Sequence, residues 1–296
     1  MFQKEVAWLP RSKPLKTLSR RIRAEREAAG AFGRVGYPPI LIYQMGKVGS
    51  SAVYKTLRKA GLKNPVLFLH FLSQDLPEVK KLFDRAGVLP APYHVFLGEA
   101  LRRRILGFPD PICKIISLVR DPIDRTVSDL YQNPAFAGAV DLYGSGTGII
   151  DAGRAVRFLK TALSEEKTFK YINEWFDREL KRVFGIDVFN RPFPVDAGVA
   201  VYRAGNAEAL VIRLENLSGA GEAAIANFLN LEHPFRIQPG NIRRETPAGE
   251  SYLRVKQALR LPRDLCERIY AGRFARHFYS SAMIEQFIRK WSEDMA

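Results

Sequence analysis

Three places in this 296-residue chain carry side chains whose types and spacing suit chemistry on an anion. The first is Gln44-Met45-Gly46-Lys47-Val48-Gly49-Ser50-Ser51, which follows the apolar run Pro39–Tyr43 and precedes Val53 and Leu57 at helical spacing. A strand, a glycine loop and a helix start make an anion hole. Glycines let the main chain approach an oxyanion, the first helical amides are unpaired, and the helix dipole favours negative charge. Lys47 adds a full positive charge, Val48 and Gly49 shape the turn, and Ser50 and Ser51 supply hydroxyl donors or an N-cap. The second place is Arg120 to Ser128, where Asp121 is a good N-cap and Pro122 suits the first helical position. An arginine fork with a hydroxyl two helical turns on is a suitable receptor for a phosphate monoester. The third is His70, at the end of the apolar run Val66–Leu69.

The loop is not a Walker A motif, because that pattern needs Lys directly after the second Gly and directly before Ser or Thr, whereas Lys47 precedes Gly49. The elements around it alternate. Buried strands are expected at 39–43, 66–72 and 112–119, a helix at 76–86, an extended segment at 93–97, and a helix after Pro122. Near-continuous apolar strands separated by helices indicate a parallel sheet covered on both faces. Ligands in such sheets gather at the carboxyl ends of the strands, and Lys47, His70 and Arg120 all fall there. Further on, 133–152 reads as a glycine-rich loop and 153–184 as helical, with Trp175 and Phe176 in the core. A hairpin is expected across Ala204-Gly205-Asn206, and helices from Leu253 to Trp291.

With 47% hydrophobic residues the chain can bury a sizeable core, and its net charge of +15 calls for an anionic partner. Cys113 and Cys266 form neither a metal-ligand spacing nor a disulfide framework and read as core thiols of a reducing compartment. No apolar stretch nears the ~20 residues that span a bilayer, and the N-terminus lacks the apolar core of a signal peptide. The expected location is the cytoplasm. Residues 1–36 read as a basic, solvated extension ahead of an α/β domain at 37–296. Leu15, Leu18 and Ile22 lie at helical spacing among Arg20, Arg21, Arg23 and Arg26, and so offer a peripheral contact with the inner face of a membrane.

The Lys47 loop resembles the 5′-phosphosulfate loop of sulfotransferases, and its Gln-Met-Gly-Lys-Val-Gly-Ser-Ser form is similar to a bacterial group of capsular polysaccharide synthesis proteins. Arg120 and Ser128 resemble the segment that holds the 3′-phosphate of the sulfuryl donor PAPS (3′-phosphoadenosine 5′-phosphosulfate), and Leu67-Phe68-Leu69-His70 the strand that presents a catalytic His in glycan 2-O-sulfotransferases. The resemblance is strong over 38–132 and loose beyond. It implies a P-loop-like three-layer α/β fold, PAPS as donor with PAP as product, no metal, and a carbohydrate acceptor. It also implies site roles. Lys47, Val48, Gly49, Ser50 and Ser51 would bind the 5′ end of the donor, with Lys47 relieving charge on the departing phosphate, and Arg120 and Ser128 would bind the 3′-phosphate. Arg243 and Arg244 would lie in a loop closing over the phosphates, and His70 would be the general base, with His94 and Glu99 as alternates. A nucleoside or sugar kinase and a basic nucleic-acid-binding protein are the rival classes. The first lacks its Walker lysine, and the second would cluster its basic residues on one recognition element.

Overall fold

The structure is a computed structural model that describes residues 13–33, 36–107, 112–132, 142, 149–238 and 247–293. In chain order it runs α1 (Lys13–Phe32), β1 (Ile40–Tyr43), α2 (Ser50–Lys59), β2 (Val66–Leu69), α3 (Leu76–Arg85), α4 (Tyr93–Gly107), β3 (Cys113–Val119) and α5 (Pro122–Gln132). Helices α6 (Ala152–Ser164) and α7 (Glu166–Phe176) follow, and α7 passes through a π turn at Asp177–Lys181 into the short α8 (Arg182–Phe184). Next come the hairpin of β4 (Val199–Ala204) and β5 (Ala207–Arg213), α9 (Glu222–Leu229), α10 (Pro247–Ala258), α11 (Arg263–Tyr270), α12 (Arg273–Phe278) and α13 (Ser281–Trp291).

The strands form one sheet in the order β2-β1-β3-β5-β4. β1, β2, β3 and β5 are parallel, and β4 pairs antiparallel with β5 across the Gly205-Asn206 turn. All of β1 and all of β3 except Lys114 are buried, so helices cover both faces of the sheet's centre, as the unbroken apolar runs require. The chain leaves β1 for β2 on one side and returns to β3 on the other. The crevice between the exits of β1 and β3 is therefore the topological switch point, where open α/β sheets place their ligands.

Two expectations change. The segment 93–97 is the first turn of α4 rather than extended: Val95 N–H donates to Pro92 O, and Val95, Phe96, Leu97, Ala100, Leu101 and Ile105 are buried around the helix. A helix apolar on most sides carries no clear period, and a short apolar run cannot be told from a strand. Gly98 lets this helix press on the exit of β2, for a Cβ there would meet Phe71 O at 2.3 Å.

The basic N-terminal stretch is also not a solvated extension over 13–32. Ala24, Ala28 and Ala31 of α1 are buried, Arg20 donates to Pro90 O at 2.8 Å and Ala91 O at 2.5 Å, and Arg23 lies over the Tyr93 ring. Trp175 and Phe176 are core residues, and Cys113 and Cys266 are free, buried thiols.

Candidate functional site

The loop from Gln44 to Gly49 turns sharply enough to force left-handed backbone at Lys47 (φ 73°) and Gly49 (φ 82°). For lysine that conformation costs about 1–2 kcal/mol, a strain that surrounding contacts must impose. Fully buried Gln44, Met45 and Val48 anchor the loop from beneath. Gly49 is the N-cap of α2, where a Cβ would meet Leu214 Cδ1 at 2.5 Å. The exit of β5 thus packs directly on the loop, which only glycine permits. Ser50 is buried and Ser51 exposed in the first turn of α2.

Arg120 spans the crevice. Its Nη1 donates to Lys47 O at 2.9 Å, tying the exit of β3 to the loop after β1. The rest of its fork is engaged: Nε and Nη2 donate to Asp124 Oδ2 at 3.1 and 2.7 Å, and Nη2 to the Tyr252 hydroxyl at 3.2 Å. Asp124 also pairs with Lys256 at 2.8 Å. Burial disfavours the Asp124 carboxylate, but Arg120 and Lys256 outweigh it and hold its pKa below the usual range. Two cations share one carboxylate here, so the cluster keeps a net positive charge. Arg120 is not an open fork waiting for a phosphate, as its sequence position suggests; an incoming anion must draw it from Asp124. Asp121 caps α5 through Ile123 N–H at 3.0 Å and accepts from Tyr270 Oη and Trp291 Nε1 at 2.6 and 2.8 Å, which fastens the terminal helices to this motif. Ser128 sits half-buried on α5, two turns along.

On the other side of β1, His70 follows β2 directly. Its Nδ1 lies 2.8 Å from Gln44 O. A carbonyl can only accept, so Nδ1 carries the proton and Nε2 keeps its lone pair, directed to the loop side, where it is 4.0 Å from a Cβ built on Gly46. Burial first, and then the Lys47 and Arg125 charges, push the His70 pKa down to about 4 against the pull of Gln44 O. The ring is therefore neutral at physiological pH, though not with the ordinary basicity its residue type suggests. The His94 ring packs edge-on at 4.7 Å and is likewise held well below its usual value, first by burial and then by His70. Glu99 points elsewhere on α4, to Lys80 of α3 at 3.1 Å.

Several contributors escaped the sequence reading. Arg125, 7% exposed, lies over the Tyr171 ring at 5.3 Å, and neither its buried Nε nor the buried Gln44 Oε1 has a hydrogen-bond partner among the described residues. Tyr252 and Lys256 come from α10, and nothing local in the sequence ties them to Arg120. Arg243 and Arg244 lie outside the described residues, as does most of the loop 133–152.

Glu179, in the π turn, holds the segment after His70. Its carboxylate accepts from Leu72 N–H at 2.8 Å, Ser73 N–H at 2.9 Å, Ser73 Oγ at 2.8 Å and the Tyr43 hydroxyl, while Trp175 Nε1 donates to His70 O at 3.3 Å. Glu179→Ala would strand these donors in the interior at about 1–3 kcal/mol each, partly relieved by water. A loss of at least about 3 kcal/mol is expected in urea denaturation. A loss under about 1 kcal/mol would show that the segment is held by other means.

Among the described residues no cluster of three or more His, Cys, Asp or Glu could hold a metal ion, and no helix is long and apolar enough to cross a membrane. No curated protein and no solved structure matches the chain. Residues 149–280 match the model of the NKWYS family, described as putative capsular polysaccharide synthesis protein. That is the group the Lys47 loop resembles, yet the matched stretch runs from the start of α6 past α12, in the part of the chain where the resemblance looked loose. It includes Tyr171, Trp175, Glu179, Leu214 and Tyr252, which pack on or beside the rim.

Proposed function

We propose that the chain is a PAPS-dependent sulfotransferase that moves a sulfuryl group to a carbohydrate hydroxyl. The observation that carries this reading is the meeting of two strand exits bearing Lys47 and Arg120 at the switch point, joined by the bond from Arg120 to Lys47 O. A donor with phosphate groups at both ends of a nucleoside needs two such receptors, one at a glycine loop and helix start, one at an arginine. The net positive Arg120–Asp124–Lys256 cluster suits the 3′-phosphate, with Ser128 on the same helix. The Lys47 loop, with Val48, Gly49, Ser50 and Ser51, suits the phosphosulfate. In this reading His70 takes the acceptor's proton on Nε2 as sulfate leaves in line, a role that its position beside the loop supports. In this scheme Lys47 stabilises charge on the departing phosphate and no step calls for a metal. The likeness to the capsular polysaccharide family supports a carbohydrate acceptor.

Thermal-shift measurements with PAP, ATP and single-stranded DNA at moderate salt test this. A ligand that binds only the folded state raises stability by mass action, so PAP should raise the melting temperature while ATP and DNA do so weakly or not at all. A shift with ATP and magnesium but none with PAP favours a kinase and sinks the proposal. Arg120→Ala should then reduce PAP affinity roughly tenfold or more, the worth of a charge-assisted fork at about 1.5–3 kcal/mol. Calorimetry that finds unchanged affinity in the folded variant removes Arg120 from the donor site.

A further inference from the structure

We propose that the outer face of α1 docks the protein on an anionic membrane surface, a role independent of the rim chemistry. The helix is built inside out for a free surface helix. Its inner face is closed by alanines, Ala24, Ala28 and Ala31, whereas its large apolar side chains, Leu15, Leu18 and Ile22, are 56%, 53% and 44% exposed. Spacings of three and four residues put these on one stripe, and Ala24, two residues beyond Ile22, lies about half a turn round the helix, on the opposite face.

Charge selects the occupant. Lys16, Arg21, Arg23 and Arg26 are exposed around the stripe, and both acidic residues of α1 are engaged with the body: Glu25 with Arg104 at 3.0 Å and with Arg103, Glu27 with the Tyr93 hydroxyl at 2.5 Å. The outward face is thus apolar at its centre and cationic at its margins. An apolar stripe entering the acyl boundary while long basic side chains reach the headgroups is how an interfacial helix binds anionic lipid. A second copy of the chain is disfavoured, since two such faces would oppose like charges.

Co-sedimentation of the full-length protein with vesicles of phosphatidylglycerol and phosphatidylcholine, and with vesicles of phosphatidylcholine alone, tests the assignment. Binding should require phosphatidylglycerol and weaken with salt. Two variants separate the contributions: Leu15→Ser with Leu18→Ser and Ile22→Ser, and Arg21→Glu with Arg26→Glu. All these side chains are exposed, so both variants should melt like the parent, and each should lose at least about tenfold in vesicle affinity. Three results overturn the proposal: no binding to phosphatidylglycerol vesicles, serine variants that bind like the parent, or a dimer in sedimentation equilibrium that the serine substitutions dissolve, which would assign the face to a second copy.

Discussion

His70→Gln and His70→Ala are expected to keep PAP affinity within about twofold while losing roughly a hundredfold or more in turnover, the usual scale for general base catalysis. The expectation rests on a tautomer fixed by Gln44 O and a lone pair on Nε2 beside the loop. A pKa of about 4 makes the free ring a weak base, and the Lys47 charge is part of the cause. A bound donor would place anionic groups against Lys47 and offset that charge, so His70 should become more basic in the complex. The acid limb of kcat, which reports the complex, should then lie at higher pH than that of kcat/KM, which reports the free enzyme. Stability follows the opposite linkage. Because the folded pKa is below the unfolded value of about 6.5, the unfolded chain takes up the proton first; stability is fully present above that pH and is lost as pH falls towards 4. His70→Gln should flatten that decline, leaving the shares due to His94 and His277, whose pKa values burial also lowers. Normal turnover in the His70 variants would return the residue to a packing role. If Glu99→Gln were then inactive, the proton would go to that carboxylate despite its pairing with Lys80.

Lys47→Ala is expected to lower turnover more than it weakens PAP binding. An ammonium next to the bond being broken interacts more strongly with the charge that develops on the leaving phosphate than with the ground-state donor, and only that difference accelerates the step. The removal of one such electrostatic donor costs on the order of a hundredfold to a thousandfold in turnover. Arg120→Ala should show the reverse pattern, with most of its loss in PAP affinity. Its fork is bound to Asp124, Lys47 O and Tyr252, so the loss of affinity is the fork's gain from the phosphate less the cost of drawing it from these groups. Single-turnover kinetics with calorimetry separate the two variants. Equal losses of affinity and turnover in Lys47→Ala would demote it to a binding residue. Because Lys47 sits at φ 73°, Lys47→Gly is a useful partner: it removes the same charge while relieving the backbone strain.

The sequence by itself determined the frame. Ile40–Tyr43, Val66–Leu69 and Cys113–Val119 are unbroken apolar runs because strands covered on both faces have no solvent side to alternate with, and that signal is local. Asp121 and Pro122 fixed the start of α5 through cap chemistry that spans three residues. Once the strands were known to be parallel, Lys47, His70 and Arg120 had to fall on one rim. Tertiary structure decided how each of those residues is held, since the deciding partners are far away in the chain. Tyr252 and Lys256 reach the Arg120–Asp124 pair from α10, Glu179 grips the segment after His70 from the π turn, and Leu214 closes on Gly49 from the exit of β5. The basicity of His70 was invisible for the same reason: a pKa is set by desolvation and by charges that only folding brings close. Helix α1 makes the point in reverse, for its composition declared a basic amphipathic helix, but the alanine face turned to the body and the leucine face turned outward exist only because that helix packs where it does.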